Sequence, residues 1–303
     1  MTFDAITFVT SAVIAAVLYP SFIRWLRDLR SGQVIQAELP ESHQRKAGTP
    51  TGGGILFVAL SVLGGALATV AGHPGAWPAV AALIAGGAIG LIDDLSKLRR
   101  GAIGIPARVK FPVQVLVAVP VAWIALGSQP LWWLPLAAVA LVGAANAVNI
   151  TDGMDGLAAG LSIIAVGAIV LFLPNAPAGE KAVGMTVCGA LAGFLIYNRH
   201  PASVFMGDTG ALAIGFGLAA MAVQQRMILA LPVVGLVFVL ETLSVIIQVA
   251  YFKATGGRRV FAMTPIHYTF HHEGWSENRI ALSFWAAGLV SALIAIALVH
   301  LVV

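Results

Sequence analysis

The chain has 303 residues, of which 59% are hydrophobic and only 10% are charged. A soluble domain carries about 25% charged residues, so this composition excludes a water-soluble protein and indicates an integral membrane protein. The polar stretches are too short for a second domain, and we predict a single membrane domain over residues 1–303. The net charge of +4 is no sign of nucleic-acid binding, and we expect no nucleic-acid partner.

Ten apolar segments are long enough to cross a bilayer, which takes about 20 residues of helix. They predict an all-α fold of about ten transmembrane helices, at residues 3–26, 52–71, 77–95, 109–127, 131–149, 155–173, 181–198, 208–224, 227–252 and 281–302. Of the 17 Lys and Arg residues, only Lys181 and Arg226 fall outside the loops that follow odd-numbered spans. Because basic loops stay in the cytoplasm, we predict that those loops are cytoplasmic and both termini are outside. The first span, which carries Asp4 and no basic region before it, predicts an uncleaved anchor.

Five aspartates lie at or just beyond the ends of apolar segments, all on the predicted cytoplasmic side. They are Asp93, Asp94, Asp152, Asp155 and Asp208. A carboxylate at the rim of a bilayer costs on the order of a few kcal/mol unless it faces water, a partner or a metal. Their common side predicts a charged site that holds a divalent cation and acts on phosphates at the membrane surface.

The third span ends in the adjacent pair Asp93 and Asp94, with Lys97 one turn further. In a helix the two carboxylates point about 100° apart, so one can bind a metal while the other faces a substrate. Lys97 can hold one of them ionised. The alternative is a solvated helix end with an ion pair, which the helix dipole makes less favourable for two acids.

Two polar loops follow the fifth and seventh spans. Asn146 and Asn149 share a helix face before the Asp152–Asp155 turn, and amides beside carboxylates suit a uracil or sugar edge. Asp208 opens the eighth span, where an oxygen ligand suits Mg²⁺. The alternative for Asp155 and Asp208 is that each caps the helix it begins.

Three further features carry less specific signals. Gly52 to Gly54, preceded by Lys46, indicate either a backbone close to a phosphate ligand or close helix packing, with equal weight. Phe205 is suited to stacking on a base. His267, with His271 and His272 nearby, has no Cys partners for zinc, which favours a role in phosphate binding or loop structure. Glu241 lies in the middle of the ninth span, where an acid is functional or paired.

Together these motifs resemble the polyprenyl-phosphate N-acetylhexosamine-1-phosphate transferase superfamily, and within it the phospho-N-acetylmuramoyl-pentapeptide transferase family. The resemblance runs from about residue 32 to 285 and rests on ordered motifs: ESHQRKAGTPTGGG, the DDxxK of Asp93 to Lys97, NITDGMDGLA, VFMGDTGALA, ETLSVIIQV and TPIH. In one respect the chain departs from the family. Where the family has three consecutive histidines, this chain has His267-Tyr268-Thr269, so only the first role transfers.

The resemblance implies a ten-helix fold in the bacterial inner membrane with an active-site cleft facing the cytoplasm. It implies Mg²⁺-dependent transfer of phospho-N-acetylmuramoyl-pentapeptide from UDP-N-acetylmuramoyl-pentapeptide to undecaprenyl phosphate. The products would be lipid I and UMP, the first membrane step of peptidoglycan synthesis. A homodimer and contact with membrane lipid are further expectations from the family.

Carried over motif by motif, the resemblance implies that Asp208 binds Mg²⁺ and that Asp93 and Asp94 activate or position the lipid phosphate. Lys46, Lys97 and His267 would neutralise or position phosphates. The remaining matched residues would bind the donor: Asn146, Asn149, Asp152, Gly153, Met154, Asp155, Asn198 and Phe205. Two chemical routes stay open, direct attack by the acceptor phosphate and a covalent Asp intermediate. We favour direct attack, because a phosphate monoester is already a competent nucleophile.

Two other functions compete with this interpretation. A sister enzyme would transfer phospho-N-acetylglucosamine, but ESHQRKAGTP and the TPIH loop speak against it. A cation- or proton-coupled transporter would place its acids near the midplane, often in repeated halves. Here the five aspartates lie at one face and no repeat is visible; only Glu241 fits a transporter.

Overall fold

The structure is a computed structural model, and it describes residues 3–29, 48–100 and 104–302. Its elements are helices. In chain order they are α1 Phe3–Asp28, α2 Gly54–Val70, α3 Trp77–Arg100, α4 Ala107–Leu126, α5 Leu134–Thr151 (preceded by a 3₁₀ turn, Leu131–Trp133), α6 Leu157–Phe172, α7 Ala178–Asn198, α8 Gly207–Gln224, α9 Leu231–Val234, α10 Leu236–Ala254, α11 Ile266–His272 and α12 Glu277–Val302.

Nine of the ten predicted spans each coincide with one helix of this set to within a few residues, the exception being 227–252. Within the described residues, seven helices are long and apolar enough to cross a membrane, namely α1, α3, α4, α5, α7, α10 and α12, while α2 and α6 are apolar but shorter. The chain is therefore an all-α, multi-pass membrane protein. The predicted span 227–252 is interrupted, because α9 ends at Val234 and Gly235 separates it from α10.

Helix α8 lies at the centre of the bundle, and every residue from Asp208 to Val223 is buried. Small residues let its neighbours come close. A Cβ at Gly86 of α3 would lie 2.4 Å from the carbonyl oxygen of Leu212, and one at Gly90 would lie 2.2 Å from that of Asp208. The position of α8 along α3, and so of Asp208 beside the end of α3, depends on these backbone contacts.

The glycine run before α2 packs against the same helix. Gly53 N–H donates to the Phe205 carbonyl at 2.8 Å, and Gly54 N–H donates to the Met206 carbonyl at 2.8 Å. A Cβ at Gly54 would lie 2.4 Å from Gly210 Cα. The close-packing interpretation is thereby confirmed for these two glycines. Lys46, the predicted phosphate ligand in the same motif, lies outside the described residues.

We predict that Gly86→Ala lowers thermal stability, because its methyl group would overlap the backbone of α8. Overpacking of this kind costs about 1–3 kcal/mol. The matched control is Gly167→Ala in α6, where a Cβ has no neighbour within 4 Å and the better helix former should leave stability unchanged or higher. Thermal unfolding in detergent measures both. Equal unfolding temperatures for the two variants would contradict the close approach of α3 and α8.

Candidate active site

The carboxylates of Asp93 and Asp208 face each other where the end of α3 meets the starts of α4 and α8. Two ammonium groups lie between them. Lys97 Nζ is 3.0 Å from Asp93 Oδ2 and 2.9 Å from Asp208 Oδ1. Lys110 Nζ is 3.3 Å from Asp93 Oδ2 and also contacts Asp208 Oδ2. We call these four residues with Asp94 the carboxylate site. The predicted ion pair of Lys97 with the acids of its own helix is confirmed.

Asp208 and Asp93 each accept a further hydrogen bond, besides their contacts with the two lysines. Asn149 Nδ2, on the last turn of α5, donates to Asp208 Oδ1 at 3.0 Å. The backbone N–H of Ile105 donates to Asp93 Oδ1 at 2.6 Å. Both side chains are buried, with Asp93 only 2% and Asp208 only 8% exposed. The cations and N–H donors around these carboxylates offset the free-energy cost of burying them.

Asp94 makes a different set of contacts. Its oxygens accept hydrogen bonds from the Asp208 N–H at 3.1 Å, the Thr209 N–H at 2.9 Å and the Thr209 hydroxyl at 2.6 Å. These are the free donors at the start of α8, so Asp94 of α3 caps a helix that is 114 residues away in the chain. The two neighbouring acids do point apart, as predicted. Because both Asp94 oxygens are engaged by α8, its role towards a lipid phosphate stays a prediction.

The capping alternatives for Asp155 and Asp208 are wrong. Helix α6 begins after Gly156, which has a left-handed φ of 73° and provides no side-chain cap. Helix α8 begins after Met206, also without a side-chain cap from its own sequence. The N–H groups at the start of α8 donate to Asp94 of α3 instead of to Asp208. The Asp155 carboxylate contacts His200 and Ala202 in another loop.

Asn146 lies one turn before Asn149 and is directed to a different neighbour. Its Nδ2 donates to Gln114 Oε1 of α4 at 2.8 Å and to the Val142 carbonyl at 2.8 Å. It holds α4 against α5, whereas Asn149 reaches the carboxylate site. The structure therefore separates the two amides that the sequence placed on one face.

The Asp152–Gly153 turn at the end of α5 lies against α11. Tyr268 donates its hydroxyl to the Gly153 carbonyl at 3.1 Å, and a Cβ at Gly153 would lie 2.6 Å from His267 Nε2. Burial, together with Asp208 and Asp94, raises the pKa of Asp152 well above its usual range. Met154 is buried, with 4% of its surface exposed. The turn has no room for a side chain in place of Gly153 while His267 stays where it is.

His267 is paired with Glu241, the acid for which the sequence offered no partner. His267 Nδ1 is 3.0 Å from Glu241 Oε2, and both side chains are fully buried. His267 Nε2 is also buried and has no hydrogen-bond partner among the described residues. His271 does lie on the same helix, but its Nδ1 is 3.0 Å from the Trp275 carbonyl oxygen, so the two histidines do not share a site.

Asp155 belongs to a second polar cluster, where three loops meet. Its Oδ2 is 2.8 Å from His200 Nδ1 and accepts the Ala202 N–H at 3.0 Å, while Glu277 Oε2 is 3.7 Å from the same ring nitrogen. One ligand atom from each of the three acidic or imidazole groups lies within 4.8 Å of the others, which is within the reach of a metal ion. The hydrogen bonds explain the cluster equally well, since they tie the start of α12 to two other loops.

Two predicted donor-binding residues hold the loop before α8. Asn198 Oδ1 accepts the Gly156 N–H at 3.1 Å, and its Nδ2 donates to the Val204 carbonyl at 2.9 Å. Phe205 pairs by its backbone with Pro50 at 2.8 Å, and its side chain is half-buried. The amide of Asn198 is thus used within the protein, and both roles towards the nucleotide stay predictions.

Sequence reasoning missed Lys110 as a site residue. It lies in the first turn of an apolar helix, where the dipole disfavours a cation. That conflict was the available signal. Gln114, Thr209 and Tyr268 were also missed, and nothing in their sequence context distinguishes them from packing residues.

Comparison with known proteins identifies the family to which the chain is similar. The chain matches glycosyl transferase family 4 over residues 76–226, which include α3 to α8 and so all five residues of the carboxylate site. It is 42% identical over 310 residues to a bacterial protein of Shouchella clausii (strain KSM-K16), covering 95% of each chain. It is 43% identical to one of Geobacillus kaustophilus (strain HTA426) and 41% identical to one of Heliobacterium modesticaldum (strain ATCC 51547 / Ice1), with 96% of each chain covered. All three are named phospho-N-acetylmuramoyl-pentapeptide-transferase.

The chain belongs to the phospho-N-acetylmuramoyl-pentapeptide-transferase family. This membership confirms the resemblance drawn from the ordered motifs. The transferase alignments cover 95–96% of the chain, well beyond the region that carries the carboxylate site.

We predict that Asp94→Asn destabilises this transferase-family fold, since an amide is a weaker acceptor for the α8 donors. Loss of a cap costs about 0.5–2 kcal/mol. Thr209→Val, which removes only the hydroxyl bond to Asp94, should cost less. Unfolding temperatures in detergent test the order. Asp94→Asn as stable as the parent would show that the cap does not hold α8.

A second prediction concerns Asp152, whose raised pKa means that the folded protein favours the protonated acid. The stability from this proton is fully present below the ordinary pKa of 3.8 and is lost as pH rises towards the raised folded value. Asp152→Asn should therefore gain stability over the parent, and the gain should grow with pH. Unfolding temperatures from about pH 4 to about pH 8 in chelator measure the difference. A difference that is constant with pH would contradict the shift.

Proposed function

We propose that the protein transfers phospho-N-acetylmuramoyl-pentapeptide from its UDP carrier to undecaprenyl phosphate, giving lipid I and UMP. The observation that carries this proposal is the carboxylate site itself. Three buried acids and two lysines from α3, α4 and α8 meet at one end of a membrane bundle. The chain also shares about 42% of its residues, over nearly its whole length, with relatives named for this transferase activity.

We further propose ten membrane crossings in the bacterial inner membrane, with both termini outside and the carboxylate site facing the cytoplasm. The distribution of basic residues supports this orientation, because 15 of the 17 lysines and arginines lie in or beside the loops that follow odd-numbered predicted spans, the side of the five aspartates. UDP-linked substrates are cytoplasmic, whereas a lipid acceptor stays in the bilayer. A site at the cytoplasmic rim gives both substrates access.

The donor set fits Mg²⁺. Asp93 and Asp208 provide hard carboxylate oxygens, and Asn149 adds an amide beside Asp208. The ammonium groups of Lys97 and Lys110 together carry two positive charges between Asp93 and Asp208, the same charge as one divalent cation. We propose that Asp208 holds the ion. Mg²⁺ bound there would offset the charge of the donor diphosphate and of the departing UMP.

The residues of the carboxylate site have separable roles in the reaction. Lys97 and Lys110 bring anionic phosphates together against their mutual repulsion. Asp93 positions the acceptor phosphate, and an oxygen of that phosphate attacks the sugar-linked phosphorus of the donor. The bond from this phosphorus to the UMP oxygen breaks, and UMP leaves with the electron pair. Asp94 acts through α8 by holding Asp208 in place, and His267, fixed by Glu241, supports the Asp152–Gly153 turn on the donor side.

An apolar groove lies beside α5, the helix that carries Asn149. It has a volume of about 340 Å³ and lies between α5, the end of α8 and α9–α10. Ala147 and Val148 line it, and the next residue is Asn149, which contacts Asp208. We propose that the polyprenyl chain lies here, with its phosphate turned towards Asp208. A homodimer remains part of this proposal by family analogy.

The test is UMP release by purified protein with undecaprenyl phosphate, Mg²⁺ and either UDP-N-acetylmuramoyl-pentapeptide or UDP-N-acetylglucosamine. We expect release only with the muramoyl-pentapeptide donor, and loss of it with chelator. Asp208→Asn should lower kcat on the order of 10²-fold or more, whereas Asp28→Asn, an exposed acid at the end of α1, should not.

Other outcomes would replace the proposal. Release with the glucosamine donor alone would assign the sister activity. Release with neither donor, from protein with a cooperative unfolding transition, would remove the transferase assignment and favour a transporter.

A further inference from the structure

A second cavity lies at the opposite end of the bundle. Its volume is about 560 Å³, and it is enclosed by the end of α4, the turn after α8, α9 and the last turns of α12. Helix α8 has 18 residues, so its two ends are about 27 Å apart at 1.5 Å per residue. This cavity is therefore separate from the carboxylate site, although it shares Ile228 and Leu229 with the groove proposed for the polyprenyl chain.

Arg226 is the only charged side chain among the residues that line this cavity, all of which the structure describes. Most of the others are aliphatic. Arg226 is exposed and makes no ion pair with any described residue. Gln129 donates to the Val223 carbonyl at 2.8 Å, so it is already used in closing the end of α8. Trp133, which also lines the cavity, is of the residue type enriched at membrane–water interfaces.

Both the backbone conformation and the predicted membrane topology disfavour an arginine at position 226. It has φ 63°, and among the described residues it is the only non-glycine with positive φ. It follows α8 in a turn closed by Arg226 N–H to Val223 O at 3.0 Å and Met227 N–H to Ala222 O at 2.8 Å. Glycine is usual at that point, and a side chain costs about 1–2 kcal/mol. Arg226 is also one of only two basic residues on its side of the membrane.

We propose that this cavity binds one anionic phospholipid, with its phosphate on Arg226 and an acyl chain against the apolar walls. A guanidinium offers a planar fork of donors that matches a phosphate. A free inorganic anion would leave most of the cavity unfilled and its apolar walls without a partner, so it does not account for the site. The headgroup lies in the leaflet opposite the carboxylate site.

The experiment compares phosphatidylglycerol with phosphatidylcholine of the same acyl chains, added to the delipidated full-length protein in detergent. Native mass spectrometry counts bound lipid, and thermal unfolding reports the stabilisation. We expect one tightly bound phosphatidylglycerol, with phosphatidylcholine about tenfold weaker.

Arg226→Gly is the decisive variant. It removes the charge and relieves the positive φ, so without lipid it should unfold at the same or a higher temperature than the parent. It should nevertheless lose the preference for phosphatidylglycerol. Lys181→Gln changes the same charge on the same side but does not line the cavity, and it should retain the preference. Leu298→Trp, which fills part of the cavity, should weaken both lipids.

Three results would overturn the proposal. They are equal binding of the two lipids to the parent, undiminished phosphatidylglycerol binding by Arg226→Gly, and unchanged lipid binding by Leu298→Trp. The last would mean that any lipid lies on the surface and not in the cavity.

Discussion

The capping of α8 by Asp94 is the interaction on which the rest of the site depends. It joins two helices far apart in the chain through three hydrogen bonds, and the N–H of Asp208 donates one of them. The cap can form only because Gly86 and Gly90 let the backbone of α8 approach α3. The register of these two helices thus fixes the position of Asp208 relative to Asp93. It also sets the distance between the two carboxylates that Lys97 and Lys110 bridge. A small error in that register would separate the two carboxylates.

Charge balance explains why so many acids persist at the end of a membrane bundle. Asp93 and Asp208 are each within reach of both Lys97 and Lys110, so the pair is neutralised without any ligand. Long, flexible ammonium groups can turn towards phosphates when these enter, which a rigid backbone donor cannot do. Asp152 forms no ion pair with a described residue, and burial raises its pKa, together with the nearby Asp208 and Asp94. Asp152 lies at the turn that faces the proposed donor.

The all-α fold was predictable because the bilayer requires long apolar segments, and the positions of most helices could be predicted from hydrophobicity alone. The grouping of the acids at one end was also predictable, since helix direction alternates along the chain. What could not be predicted is which side chains meet, because that depends on the rotation and register of packed helices. Three contacts therefore could be found only in the structure. His267 pairs with Glu241, Lys110 contacts Asp208, and Asn146 donates to Gln114. The capping assignments failed for the same reason, because Asp94 comes from a distant helix.

Helix α8 links the two ends of the protein through its dipole. Its N-terminus carries partial positive charge and is met by the Asp94 carboxylate, and its C-terminus carries partial negative charge and is followed by the Arg226 guanidinium. Each end is thus matched by a charge of the opposite sign. At the N-terminus that charge is buried and orients a proposed catalytic acid. At the C-terminus it is exposed beside an apolar cavity and lacks an ion-pair partner among the described residues. A structural counter-charge needs only to be near the helix end, whereas an arginine held in a costly backbone conformation over a cavity is better explained by a ligand that it binds.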